Sequence, residues 1–252
     1  MAHAAAHGDQ PASAHAGHPP TALGLNSRKV GLWTFISSEV MFFSGLIAAY
    51  LALKGRNIEQ GGPPPHAYFD LLLVSGLAFV LLMSSLTMVL AHAATERDDR
   101  RWERIWLAAT IALGLTFLGG QVFEFNKMFN EHFVTITITQ PDGRVIRRGV
   151  VEHHLEQERA HLREEYPGAT FEESPPKPTT WSTSVFGSTF FTLTGFHGTH
   201  VAIGVLWLSI VLGMSLRGAL TSANALTLEL AGLYWHFVDL VWVAIFTLVY
   251  LI

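Results

Sequence analysis

Cysteine is absent from the chain's 252 residues. That excludes disulfides, thiolate zinc, iron–sulfur clusters and a cysteine nucleophile, and it leaves the redox compartment open. Charge is scarce as well: Asp, Glu, Lys and Arg make up 14% of the sequence, against about 25% in an ordinary soluble domain. The formal net charge is only −4, and no basic cluster is interleaved with exposed aromatics, so nucleic acid is excluded as a partner. What fills the space is hydrophobic, 50% of the residues, which points to lipid rather than water as the solvent of most of the chain.

The first residues, 1–27, are rich in Ala, His, Gly and Pro and contain no apolar run of signal-peptide length. They read as a disordered tail, with His3, His7, His15 and His18 as adventitious metal binders at most. A membrane domain is expected over 28–252, with apolar segments at about 30–53, 69–94, 103–126, 185–215 and 226–252. Each approaches or exceeds the ~20 residues that a helix needs to cross ~30 Å of hydrocarbon. The expected fold is all-α: a polytopic bundle of five transmembrane helices with a small extracytoplasmic insertion.

Orientation follows from the short-loop cations, which are retained on the cytoplasmic side. Arg28 and Lys29, the segment TERDDRRWER (95–104) and Arg217 share one face if the N-terminus is cytoplasmic and the C-terminus periplasmic. The long polar segment 127–184 then lies outside. Its HFVTITIT-QPDG-RVIRRGVV stretch predicts a hairpin, and EHHLEQERAHLREEY a short helix. The proline-rich PGATFEESPPKP predicts no further regular structure. His153, His154 and His161 are expected to be solvated, without a metal.

Several ionisable residues fall inside the apolar segments. At 1.5 Å per residue, Glu39 lies about 14 Å into the first span. His197 and His200 lie near the middle of the fourth, and His236 and Asp239 near the middle of the fifth, while Glu124 and Glu229 sit towards span ends on opposite faces. His92 closes the second span. A charge in hydrocarbon costs several kcal/mol, so these groups should face protein, bound lipid or a wet cavity. Among the small residues Gly195, Gly198, Thr199 and Gly204, His197 and His200 read as interhelical hydrogen-bonding fasteners, since an i,i+3 pair supplies at most two metal ligands. No arginine or lysine in its own span neutralises Glu39, which is expected protonated or bonded to a polar partner. His236 and Asp239 share a helical face and are expected to satisfy each other in part.

The segments LWTFISSEVMFFSGL (32–46), SSLTMVLAHAA (84–94), QVFEF (121–125), GSTFFTLTGFHGTHVAIG (187–204) and YWHFVDLVWVAIFTLVYL (234–251) resemble the signature segments of subunit III of haem-copper terminal oxidases. All five spans are covered; the tail and the 127–184 insertion are not. The resemblance implies a subunit without catalytic residues, metal or redox cofactor of its own, packed against a catalytic subunit I and a donor-docking subunit II that hold haem and copper. It also implies bound phospholipid in a cleft, and a role in proton uptake and in protecting the catalytic site. Glu39 matches the family's carbodiimide-reactive glutamate. The five spans match the third to seventh of the longer form, so one wall of the cleft is expected to be missing or supplied by another subunit.

The expected function is that of subunit III of a proton-pumping cytochrome c oxidase of the aa3 or caa3 kind, in a bacterial inner membrane, with contact to another respiratory complex as a further option. A quinol oxidase subunit III is the alternative, given LRGALTS (216–222). A proton-coupled transporter lacks the inverted repeat or broken-helix pair it would need. A haem-binding anchor would use His197 or His200 with His236.

Overall fold

A computed structural model describes residues 26–59, 61–62, 70–180, 184–220 and 225–251. The tail histidines and residues 221–222 of the LRGALTS segment lie outside the described residues. In chain order come α1 (Ser27–Glu59), α2 (Leu71–Glu96), α3 (Arg100–Asn130), β1 (His132–Thr139), β2 (Val145–Val151), α4 (Leu155–Glu165), β3 (Thr170–Glu173), β4 (Lys177–Pro178), α5 (Val185–Leu216) and α6 (Ala225–Ile245), which continues as a π-helical stretch, Phe246–Leu251. The five long helices are each long and apolar enough to cross a membrane, as expected.

Local chemistry sets where the helices begin and end. Asp70, Asp99 and Ser184 cap α2, α3 and α5, each accepting a backbone N–H three residues on. The turn from α2 to α3 is tight because Asp98 adopts φ 53°, a left-handed conformation that aspartate tolerates. Past α5, Gly218 at φ 74° lets the chain turn away. The long helices run past several of the apolar segments: α3 reaches Asn130, so the insertion begins later than residue 127.

Trp235 of α6 is the centre of the bundle, fully buried, its indole N–H donating to Ser84 Oγ of α2 at 3.1 Å. Two glycines admit it. A Cβ on Gly114 of α3 would stand 2.7 Å from the Trp235 ring, and one on Gly204 of α5 would stand 2.8 Å from it. Hydrocarbon gives helices no hydrophobic reason to associate, so close approach through small residues carries the packing. Helix α1 joins through a narrower seam: Ile36, Phe43 and Tyr50, seven apart, are buried while most of its other faces are open.

The insertion is a four-stranded antiparallel sheet in which β1 pairs with β2, β3 and β4. The hairpin and α4 stand where the sequence predicts them, with Gly143 at φ 83° in the turn. The expectation of no regular structure in 167–178 is corrected: Thr170–Glu173 and Lys177–Pro178 pair with β1. Their prolines fall at strand margins, where a missing N–H costs no ladder bond. Ile136, Ile138, Val150 and Leu162 form a second small core between sheet and α4. Thr135 Oγ1 donates to the Gly61 carbonyl at 2.8 Å, tying the sheet to the α1–α2 connection.

Candidate functional site

Most of the polar groups inside the five helices form separate local pairings. Glu39 of α1 meets His200 of α5, with Oε2 3.2 Å from Nε2; the side chains are 19% and 14% exposed, which puts the pair at the rim of the packing and not at its centre. The other ring nitrogen, Nδ1, lies 2.8 Å from the Phe196 carbonyl one turn back. That oxygen can only accept, so Nδ1 carries the proton in a neutral ring and Nε2 is left to accept. The pair therefore needs a proton on Glu39 or a second one on His200. Tyr234 of α6 donates to the His200 carbonyl at 3.0 Å, so three helices meet at this histidine. The polar partner expected for Glu39 is thus supplied from another helix.

His197 differs from its neighbour. It is fully buried, stacks on Trp242 at 5.0 Å and meets Phe117 edge-on at 5.9 Å, and neither ring nitrogen has a hydrogen-bond partner among the described residues. The interhelical hydrogen bond expected of both histidines is present at His200, whereas at His197 the expectation is corrected: its contacts among the described residues are aromatic. Gln121 of α3 supplies the nearby interhelical bond, donating from Nε2 to the Thr194 carbonyl at 3.2 Å.

The expectation that His236 and Asp239 satisfy each other is also corrected. His236 Nδ1 pairs with Ser85 Oγ of α2 at 2.6 Å, and among the described residues neither carboxylate oxygen of Asp239, a residue only 6% exposed, bonds to His236. Towards the end of α6 that faces the start of α1, Glu229 pairs with Lys29 at 2.6 Å. Glu229, His236 and His92 border one cavity of about 160 Å³ between α2 and α6. His92 also stands 3.8 Å from Glu96.

At the opposite end, Tyr250 donates to Glu124 Oε2 at 3.2 Å and Tyr50 donates to the Val249 carbonyl at 3.3 Å. The π-helical stretch thereby joins α3 and α1. Sequence reasoning missed Ser85, Gln121, Tyr234, Tyr250 and Lys29 as partners. Each looks ordinary in its own segment and acquires a role only through a helix distant in sequence.

These features define a class: a polytopic helical membrane protein whose embedded polar groups pair mostly between helices. Among the described residues, no group of three or more His, Asp or Glu could hold a metal ion. A family model for cytochrome c oxidase subunit III matches residues 167–252. The chain is 33% identical to the cytochrome c oxidase subunit 3 of Bacillus sp. (strain PS3) over 88% of its own length and 84% of that protein. It is 33% identical to the protein of the same name from Alkalihalophilus pseudofirmus, over 93% of its length and 91% of that protein. With the quinol oxidase subunit 3 of Bacillus subtilis the identity is 32%, over 88% and 85%. The chain belongs to the cytochrome c oxidase subunit III family. It is a membrane subunit of a multi-subunit oxidase, in a family without a redox centre of its own.

Proposed function

We propose that this chain supports a proton-pumping cytochrome c oxidase of a bacterial inner membrane, packing against the catalytic subunit I beside subunit II. The haem and copper belong to those partners. The chain's part is to stabilise the catalytic subunit, hold phospholipid along its open faces and keep a protonatable group near the proton-uptake side. The N-terminus is cytoplasmic, the C-terminus periplasmic and the β-sheet insertion periplasmic, where it approaches the donor side of the complex or another respiratory complex. The observation that carries this reading is the Glu39–His200 pair. It is a proton-holding pair at the edge of α1, the helix with the most open faces.

A quinol-fed complex is the second reading, favoured by the 32% identity to a quinol oxidase subunit 3. Purifying the tagged chain with its partners and assaying oxygen consumption with reduced cytochrome c and with a quinol separates the two. Oxidation of cytochrome c by a haem-containing complex is expected. Turnover with quinol alone would establish the alternative, and purification of the chain without any haem protein would overturn both.

A further inference from the structure

At the tight α2–α3 turn the ends of the two helices border a half-open cavity of about 270 Å³. Leu90 and Ala93 of α2 make one wall, and Trp102 and Trp106 of α3 make the other. The two indoles are stacked at 5.8 Å, and Trp102 is half exposed. Arg97 and Asp99, on either side of the left-handed Asp98, also line the cavity.

Two of the neighbouring arginines are engaged elsewhere: Arg104 donates to the Ser215 carbonyl at 2.8 Å and Arg100 to the Gly218 carbonyl at 3.3 Å, fastening α3 to the end of α5; Arg101 is exposed and does not line the cavity. The Arg97 guanidinium has no hydrogen bond or ion pair with any described residue. Asp99 Oδ1 accepts the Trp102 N–H at 3.3 Å, which leaves the carboxylate further lone pairs.

We propose that this cavity binds the headgroup of a zwitterionic phospholipid bearing a primary ammonium, phosphatidylethanolamine. Arg97 takes the phosphate through charge-assisted hydrogen bonds, Asp99 takes the ammonium, and the glycerol end lies against Leu90 and the indoles. Tryptophan belongs at this depth, where one side of the ring is apolar and the other wet. The charge pattern selects the headgroup. In the turn, Arg97, Arg100, Arg101 and Arg104 are balanced by Glu96, Asp98, Asp99 and Glu103, and of these only Arg97 and Asp99 line the cavity, which offers one cation and one anion side by side rather than a basic patch for an anionic lipid. The cavity is small for a whole ligand by the usual range of about 300–1,000 Å³; it suits a headgroup with its acyl chains left in the bilayer.

The test is native mass spectrometry of the assembled complex after delipidation and exchange into nanodiscs containing equal phosphatidylethanolamine, phosphatidylcholine and phosphatidylglycerol. R97Q and D99N are compared with wild type; Asn serves as well as Asp at a helix N-cap, so D99N keeps the start of α3, and haem and subunit content report on assembly. Wild type should retain one more phosphatidylethanolamine than either variant, with affinity in each variant reduced about tenfold. Equal retention in wild type and both variants, or replacement of phosphatidylethanolamine by either of the other lipids, would overturn the site. Retention lost together with partner subunits in R97Q but not in D99N is read from D99N alone, where unchanged lipid rejects the proposal.

Discussion

His200 Nε2 stands 3.2 Å from Glu39 Oε2, so the imidazole of α5 holds the carboxyl of α1 across the edge of the bundle. A carboxyl in this position should react with a hydrophobic carbodiimide and poorly with a water-soluble one, because the reagent must arrive through lipid. Peptide mapping after labelling checks this; equal modification by both reagents would put Glu39 in bulk water. Glu39→Gln, which can still hydrogen-bond, should preserve the contact. Glu39→Leu should cost about 0.6–2 kcal/mol, read as a lower unfolding temperature in detergent.

His197 and His200 should respond in opposite ways to loss of polarity. His200→Leu removes a bond between helices, and the complex should lose the subunit more readily on gel filtration. His197→Phe replaces an imidazole whose nitrogens have no partner among the described residues with a ring of similar shape, and trading an unsatisfied buried polar group for an apolar one is neutral or stabilising. A stoichiometric metal lost from the chain on either change would refute the structural roles of both.

Gly114→Ala and Gly204→Ala each place a methyl group under 3 Å from the Trp235 ring. Overpacking of this kind costs about 1–3 kcal/mol. Both variants should reduce assembly at elevated temperature. The control Gly119→Ala, where a Cβ meets nothing within 4 Å, should behave as wild type.

Protease added to right-side-out spheroplasts should cut between Pro141 and Lys177 and leave the 95–104 turn intact. The reason is the positive-inside bias of the short loops. Cleavage confined to the 95–104 turn would invert the topology.

The Arg159 guanidinium hydrogen-bonded to Glu173 holds that carboxyl below the ordinary carboxylate range. A depressed folded-state value means the contribution is complete above the unfolded carboxylate value of about 4.3 and is lost as pH falls through the folded value. Limited proteolysis of the insertion should therefore accelerate in acid below about pH 4. Arg159→Gln should accelerate it at neutral pH and flatten the acid response, and an unchanged acid profile would assign the sensitivity to other groups.

Five helices were legible in the sequence because crossing hydrocarbon demands long apolar runs, a requirement each segment meets alone. The QPDG hairpin and α4 were legible for the same reason: turn chemistry and helix propensity are local. Glu39, His197, His200, His236 and Asp239 could be singled out as polar groups in an apolar setting. Which partner each meets is a property of packing, and His197 and His200, three residues apart on one helix, end up in an aromatic cage and on a carboxyl respectively. The segment TFEE became a strand only because β1, about thirty residues earlier, offered its free edge. Trp235 became the centre of the bundle only because Gly114 and Gly204, on two other helices, leave the room for its ring. Sequence specifies what must be buried, and the tertiary structure decides against what, since hydrogen bonds and close contacts between helices depend on distances that no single segment contains.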